Sequence, residues 1–159
     1  MESPRGAVGR GKVAIPAGAR PEGLDLYRQM LAIRRFEEKV GQLYGLGEIG
    51  GFCRLGIGQE AVAAGLRRHM QPGDSLVASH PAHGHLLAAG LSPELLFRDL
   101  MGRSGGLSEG RSGLAPLLDG ERRLMSGLGT AATSLAVGSA LAARNTRRAS
   151  VTWWALSDE

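Results

Sequence analysis

The sequence contains very little cysteine, few aromatic residues and no long apolar run. Cys53 is the single cysteine in 159 residues, so no disulfide can form within the chain, which suits the reducing cytoplasm. Aromatic residues make up only 4% of the chain, too few to fill a thick core by themselves. The longest weakly polar stretch, residues 128–143, is interrupted by threonine and serine and is too short to span a bilayer. With no secretory signal at the start either, we expect a cytoplasmic protein without a membrane segment.

Glycine and basic residues are in excess instead. The 25 glycines require either close packing of backbones or long glycine loops. The formal charge is +4, and the first 20 residues carry +3 of it, from Arg5, Arg10, Lys12 and Arg20 against Glu2. Residues 1–22 lack an apolar period and are expected to form a disordered basic arm. The arginine pairs at 67–68, 122–123 and 147–148 look scattered and lack the interleaved aromatic residues that stack on bases. We therefore expect no nucleic-acid partner.

Hydrophobic spacing predicts a long first helix over residues 24–45. Apolar residues recur there at steps of three and four, which is the period of one helix face. Asp25 is the predicted cap, and a glycine-rich stretch ends the helix. The apolar face comprises Leu26, Met30, Ile33, Val40 and Tyr44, and the residues expected on the opposite face are Arg34, Arg35, Glu37 and Glu38.

Helices and strands alternate along the rest of the chain. The predicted elements are helices at 59–69, from Ser92-Pro93-Glu94 onward and at 129–144, strands at 76–79 and 151–156, and loops at 80–85 and 102–113. The last helix is expected to pack through a small-residue face formed by Ala131, Leu135, Gly138 and Ala142. This alternation predicts an α/β fold with a parallel sheet, in a single domain over residues 23–159.

Two short patterns suggest chemistry but have better structural explanations. Residues 105–112 nearly match a phosphate-binding loop, yet a helix rather than a strand precedes them and arginine replaces the lysine, so a flexible loop is favoured. His80, His83 and His85 are possible zinc ligands, but no cysteine or acidic residue stands at ligand spacing. A loop that lines a ligand cleft, or simply turns, is the better interpretation.

Two further side chains, Cys53 and Asp158, are candidates for a reactive thiol and a metal ligand. Arg54 beside Cys53 is able to lower the pKa of the thiol, although a buried small residue is the preferred interpretation. Asp158 follows the last predicted strand, at the end where open α/β sheets bind ligands, and a carboxylate there suits Mg²⁺ bridging to phosphate oxygens. An ordinary cap or a frayed terminus is the alternative for Asp158.

Five stretches, in order along the chain, together resemble one protein family. They are Tyr27-Arg28-Gln29-Met30 through Ile33-Arg34-Arg35-Phe36-Glu37; Gly51-Phe52-Cys53-Arg54 with Gly58-Gln59-Glu60-Ala61; Ala82-His83-Gly84; Gly102-Arg103-Ser104-Gly105-Gly106; and Gly127-Leu128-Gly129. From about residue 24 to residue 158, the chain resembles the alpha subunit of the thiamine diphosphate-dependent first component of 2-oxo acid dehydrogenase complexes, of the pyruvate and branched-chain type. The resemblance covers the amino-terminal half of that subunit and implies an incomplete parallel-sheet thiamine diphosphate-binding domain.

The resemblance also implies roles for particular residues. Phe52 matches a phenylalanine that lines the cofactor, and residues 127–129 match a turn whose backbone approaches the aminopyrimidine ring. Asp158 matches an aspartate that binds Mg²⁺, and His83 is the candidate catalytic residue. Residues 102–113 resemble a mobile glycine loop at the mouth of the active site.

Four departures from the family pattern fall on these elements. Arg54 replaces a histidine, His80-Pro81 replaces Tyr-Arg, Ser157-Asp158-Glu159 replaces Gly-Asp-Gly, and Leu114-Ala115-Pro116 replaces Ser-x-His. The second departure removes a cation expected to hold the diphosphate, and we hypothesise that Arg54 partly replaces it as a cofactor-binding residue. One carboxylate holds an octahedral ion poorly, so we expect the chain alone not to form a tight holoenzyme with thiamine diphosphate and Mg²⁺.

The function implied by the resemblance is that of an enzyme subunit. It would take part in oxidative decarboxylation of a 2-oxo acid, pyruvate first, with acyl transfer to a lipoyl group. The implied partners are a beta subunit, which supplies the base-activating glutamate, and a lipoyl-bearing second component, in an oligomer; Glu60 is therefore interpreted as structural. The alternative is a truncated or degenerate relative, without catalytic activity, that acts as a partner-binding half-domain.

Overall fold

The computed structural model describes residues 20–113 and 117–156, apart from the side chains of residues 20 and 21. Most of the predicted basic arm, the segment 114–116, and Asp158 with its neighbours lie outside the described residues, so their predictions stay predictions. The elements are α1 (Arg20–Gly45), α2 (Glu60–His69), β1 (Ser75–Ser79), α3 (His83–Ala88), α4 (Pro93–Leu100), β2 (Leu118–Asp119), β3 (Leu124–Gly127), α5 (Thr130–Asn145) and β4 (Thr152–Ala155). Over the described part of the chain, none of these helices combines the length and apolarity needed to cross a membrane.

The strands form one sheet in the order β2-β3-β1-β4. β1 lies inside the sheet and pairs in parallel with β3 and β4, whereas β2 is antiparallel to β3. All of β1 is buried, as expected for a strand covered on both faces of a parallel sheet. The predicted α/β fold with a parallel sheet is confirmed, and the strands predicted at 76–79 and 151–156 correspond to β1 and β4.

The strand register gives the sheet two functionally different edges. Ser79 stands opposite Gly127, and Ala78 stands opposite Ala155. The three parallel strands therefore end together at one edge, here called the carboxyl edge, and begin together at the other, the amino edge. Ligands of open α/β sheets bind at the carboxyl edge, so a ligand site is expected at the ends of β1, β3 and β4.

The first helix differs from its sequence prediction in three details. α1 begins at Arg20, inside the predicted arm, and not at residue 24. Asp25 lies within the helix, where it forms an exposed ion pair, and is not its cap. Glu37 was predicted on the solvent face but is fully buried, because with Ile33 and Val40 it occupies positions i, i+4 and i+7 of the buried stripe.

Two other local predictions were wrong. Residues 80–85 were predicted as a loop, but α3 begins at His83, so only residues 80–82 connect β1 to that helix. The packing face of α5 was also misplaced, because small residues fill nearly every position of this helix and its period is weak. The buried residues are Ala132, Ala136 and Ala143, while the predicted set, Ala131, Leu135, Gly138 and Ala142, is exposed.

The arginine pairs are less scattered than the sequence suggests. Arg67 ends α2 just before β1, and Arg122 and Arg123 immediately precede β3. Because parallel strands begin at the same edge, these three side chains line one cleft of about 410 Å³ at the amino edge. Arg122 is paired there with Asp119 at 2.7 Å, and the arginine at the end of α2 complements the negative end of the helix dipole.

The last strand is attached to the sheet through a buried carboxylate. Asp74 accepts hydrogen bonds from the backbone N–H of Gln71 at 3.0 Å, from that of Val151 at 2.8 Å and from Nε1 of Trp153 at 2.9 Å. These bonds, from Gln71, Trp153 and Val151 in that order of importance, lower the pKa of Asp74. β4 is thereby fixed to the turn that precedes β1, which sets the parallel register of the two strands.

Candidate functional site

A cavity of about 610 Å³ lies at the carboxyl edge of the sheet. Its described walls come from four segments that are far apart in sequence: the glycine-rich turn at 50–52, His80 after β1, Leu128 after β3, and the end of α4 with the loop that follows it. We call it the carboxyl-edge cavity. Its size lies in the range of small-molecule and cofactor pockets, and it stands where parallel sheets bind ligands.

Two exposed apolar side chains form part of the cavity wall. Phe52 is 80% exposed and Leu128 is 59% exposed, although both are large and apolar. The turn that carries Leu128 requires Gly127, because a Cβ there would come within 3.0 Å of the backbone nitrogen of Ala132. Two of the residues assigned to the cofactor from sequence are thus brought to one hollow. Arg54, by contrast, is half-buried and is not among the described residues that line the cavity.

The loop at 102–113 forms one wall and is organised by a buried carboxylate. Asp99, at the end of α4, has no exposed surface. Its Oδ1 accepts hydrogen bonds from the Ser108 backbone N–H at 3.1 Å, the Ser108 hydroxyl at 2.7 Å and the Gly110 N–H at 2.9 Å. A side chain on Gly106 would come within 2.5 Å of the same oxygen, so the chain passes the carboxylate at a glycine. The glycine loop therefore has a defined, hydrogen-bonded shape.

His83 is held in a second buried network and is not among the described residues that line the cavity, although its ring centroid lies 6.2 Å from that of His80 on the wall. Its side chain and that of Glu37 are both 0% exposed, and its Nδ1 lies 3.2 Å from Glu37 Oε1. The other oxygen of Glu37 accepts the Gly56 backbone N–H at 3.1 Å. This network joins α1, the start of α3 and the segment that follows Phe52.

The cysteine and histidine patterns have a structural explanation. Burial, with a smaller contribution from the Glu37 carboxylate, raises the pKa of the half-buried Cys53 thiol, which agrees with the preferred interpretation of a small packed residue and not with the alternative of a thiol activated by Arg54. Burial also lowers the pKa of His85. Within residues 20–113 and 117–156, no group of three or more His, Cys, Asp or Glu residues is arranged to hold a metal ion.

Glu60 fixes the start of α2, as its structural interpretation predicts. Its Oε1 accepts a hydrogen bond from Nε of Arg34 at 2.6 Å and another from the Gly58 N–H at 3.0 Å. The side-chain hydrogen bond from Arg34 is the largest influence on this carboxyl, and its pKa falls to about 2 from an ordinary 4.5. The same contacts join α1 to α2 beside the motif that begins at Gly58.

The Glu60 ion pair predicts a pH-dependent contribution to stability. Because the folded-state pKa is depressed, the stabilisation is complete above pH 4.5 and is lost as the pH falls towards 2. The side chain of Arg34 is 42% exposed, so solvent screening reduces the contribution to about 1 kcal/mol. The free energies of unfolding of wild type and Glu60→Gln, measured in urea, should differ by that amount near neutral pH and converge in acid. Glu48→Gln, which alters an exposed ion pair, is the control and should show no such pH dependence.

Sequence reasoning missed two residues of the cavity wall. Asp99 was overlooked although it is a single acidic residue within the apolar side of α4, which is a signal of a buried polar role. Arg111 was noted only as a mismatch to a phosphate loop, yet it lines the cavity. Its significance depends on which loop atoms fold back on α4, which the sequence spacing does not reveal.

The fold and the cavity define an α/β domain with a ligand site at the carboxyl edge of a parallel sheet. The family model described as "Dehydrogenase E1 component" matches residues 28–158. The chain belongs to this family, whose members depend on thiamine diphosphate.

The individual relatives carry related names. The chain is 48% identical over 124 residues to the pyruvate dehydrogenase E1 component subunit alpha of Zymomonas mobilis, and 44% identical over 130 residues to that of Rhizobium meliloti. These matches cover 77% and 82% of this chain, but only 35% and 37% of the two relatives. The alpha subunit of acetoin:2,6-dichlorophenolindophenol oxidoreductase of Bacillus subtilis is 36% identical over 125 residues, with 77% of this chain and 38% of the relative covered. The chain thus spans little more than a third of the length of these relatives.

Proposed function

We propose that the chain is an alpha-subunit component of a thiamine diphosphate-dependent 2-oxo acid dehydrogenase that binds its cofactor in the carboxyl-edge cavity. The observation that carries the proposal is the convergence of Phe52 and Leu128, from distant segments, on one hollow at the carboxyl edge. Pyruvate is the proposed 2-oxo acid, because the two relatives at 48% and 44% identity are named pyruvate dehydrogenase subunits. A cytoplasmic location stays a prediction.

The described residues fit the organic part of this cofactor. A ligand with flat rings and an anionic tail needs apolar walls at one end and a cation at the other. Phe52 and Leu128 supply exposed apolar surface, and Arg111 supplies a positive charge on the same cavity. Mg²⁺ binding by Asp158 is proposed from the resemblance alone, since that residue lies outside the described part.

The proposed roles of the chain's own residues are binding and orientation. When bound, thiamine diphosphate supplies the carbanion chemistry that removes CO₂ from a 2-oxo acid. Phe52 and Leu128 would hold the rings, and the glycines on either side of Leu128 would allow the backbone to approach them. His83 is fully buried against Glu37, so in this proposal it positions the start of α3 beside His80. A beta subunit and a lipoyl-bearing second component are the proposed partners.

Calorimetric titration of thiamine diphosphate with Mg²⁺ tests the proposal. We expect saturable binding to wild type and a Kd about tenfold weaker for Phe52→Ala, because a buried aromatic contact with the ligand is lost. The stability of that variant should be unchanged, since the side chain is 80% exposed in the free protein. Leu118→Ala is the matched control, because Leu118 is also exposed and does not line the described cavity. Equal affinities for the two variants, or no binding by folded wild type, would contradict the proposal.

A non-catalytic, partner-binding half-domain is the second candidate. The observation in its favour is apolar surface on the last helix and strand: among the described strands β4 lies at an edge, and Leu135, Val137, Leu141, Trp154 and Leu156 are exposed. Such surfaces favour association with another chain. Light scattering is expected to show self-association or aggregation of the isolated chain under this alternative. A monodisperse monomer with a cooperative melt would contradict it.

A further inference from the structure

The carboxyl-edge cavity contains a single strong cation among its described lining residues. That cation is Arg111; the other ionisable groups on the described wall are Asp99 and His80. Within residues 20–113 and 117–156, the guanidinium of Arg111 forms no hydrogen bond or ion pair. Its charge is therefore available to a ligand in the cavity.

The backbone that carries Arg111 is fixed on both sides. Gly110, immediately before it, donates its N–H to Asp99 Oδ1 at 2.9 Å. Ser112, immediately after it, donates its N–H to the Ser108 hydroxyl at 3.1 Å, and the Arg111 N–H itself donates to the Ser108 carbonyl at 3.1 Å. A long side chain on a fixed backbone loses less entropy on binding than one on a disordered loop.

The negative charge of Asp99 does not cancel that cation. The Asp99 carboxylate accepts two backbone N–H groups and the Ser108 hydroxyl, whose dipoles stabilise it in its buried position. The Ser112 hydroxyl donates to the Ser108 hydroxyl at 2.6 Å and extends this chain to the cavity wall. The Asp99 carboxylate therefore holds the loop, and among the described lining residues Arg111 is the cation whose side chain has no such partner.

We propose that Arg111 binds the diphosphate end of the ligand in the carboxyl-edge cavity and that Asp99 is its positioning residue. This inference rests on the proposed function and replaces Arg54, which does not line the described cavity, with a residue that does. A guanidinium suits the role because its planar donors bind phosphate oxygens in pairs. Arg111 also compensates for the cation lost at position 81, where Pro81 stands in place of the arginine that the resemblance implies.

The experiment uses inorganic pyrophosphate as the probe, titrated calorimetrically without Mg²⁺. Arg111→Gln should weaken its Kd by about 10- to 100-fold, the effect of losing charge-assisted hydrogen bonds. The Kd of Arg111→Lys for pyrophosphate should lie between those of wild type and Arg111→Gln, because lysine keeps the charge without the paired donors. Arg103→Gln is the matched control: Arg103 belongs to the same loop, pairs with Glu48 at 3.5 Å and does not line the described cavity. The Kd of Arg103→Gln for pyrophosphate should stay within about twofold of the wild-type value.

Thiamine without phosphate distinguishes a phosphate contact from damage to the loop. Arg111→Gln should weaken thiamine diphosphate binding and leave thiamine binding unchanged. Two results would overturn the assignment of Arg111 while leaving the proposed function intact. One is that Arg111→Gln weakens the binding of thiamine and of thiamine diphosphate equally. The other is that Arg54→Gln weakens thiamine diphosphate binding and Arg111→Gln does not. If folded wild type binds neither thiamine diphosphate nor pyrophosphate, the proposed function is refuted, and this inference with it. Circular dichroism melts establish that every variant is folded.

Discussion

Glu37→Ala should lower the free energy of unfolding by about 3–5 kcal/mol. The carboxylate is fully buried and is the acceptor for both His83 Nδ1 and the Gly56 backbone N–H. Its removal leaves two buried polar groups without their partner and opens a cavity between α1 and α3. Urea unfolding followed by fluorescence measures the effect, because both tryptophans lie in β4, which pairs with the central strand β1 and is lost with the sheet.

Glu38→Ala is the matched control for that change. The neighbouring glutamate is partly exposed and pairs with Arg35 at 2.8 Å on the surface, so its loss should cost no more than about 0.5 kcal/mol. The free energy of unfolding of Glu37→Gln should lie between those of Glu37→Ala and Glu38→Ala, because the amide keeps one oxygen acceptor. Equal stability of Glu37→Ala and Glu38→Ala would show that the buried network does not hold these elements together.

Asp99→Ala should cost about 3 kcal/mol and release the glycine loop. The variant loses the acceptor for the backbone N–H groups of Ser108 and Gly110 and for the Ser108 hydroxyl. Amide exchange in residues 102–113 should accelerate more than elsewhere, because the carboxylate is the common acceptor of that loop. Hydrogen exchange with mass spectrometry, together with urea unfolding, measures both effects.

Two variants on the same helix control for the chemistry of Asp99. Glu94→Ala removes an exposed ion pair with Arg98 at 2.8 Å; because Arg98 also donates to the Ser104 carbonyl at 3.2 Å, exchange should change at most near that residue and much less than in Asp99→Ala. Asp99→Asn retains one oxygen acceptor and should give a smaller loss of stability than Asp99→Ala. A glycine loop that exchanges at the wild-type rate in Asp99→Ala would contradict the role given to this carboxylate.

Features set by neighbouring residues were predictable from the sequence. The cap at Ser92 was expected from Ser92-Pro93-Glu94, and its hydroxyl accepts the Glu94 N–H at 3.2 Å. The central strand was expected from a short apolar run after a turn, and it is β1. In both cases the interaction that decides the structure lies within a few residues of the pattern.

Features set by distant partners were not predictable in the same way. Glu37 looks like one of several charged residues on a solvent face, and its partner His83 lies 46 residues further along. β3 contains only four residues and forms because β1 lies beside it, so its own sequence carries a weak signal. The α5 face was misplaced by one position because alanine and glycine give almost no contrast between buried and exposed sides.

The candidate site was partly predictable. Motif resemblance selected Phe52 and Leu128, and both line the carboxyl-edge cavity. It did not select Arg111 or Asp99, because their importance comes from how residues 102–113 fold over the end of α4. The roles of Arg54, His83 and Asp158 in cofactor binding and catalysis stay predictions.

Hydrogen exchange of wild type with and without thiamine diphosphate and Mg²⁺ tests the central claim most directly. The claim is that four distant segments at the carboxyl edge form one cofactor site. Exchange should slow together in residues 50–58, 80–82, 102–113 and 127–129, and should not change at the arginine-lined cleft of the amino edge. Protection at the amino edge instead, or no protection anywhere in the folded protein, would contradict the account.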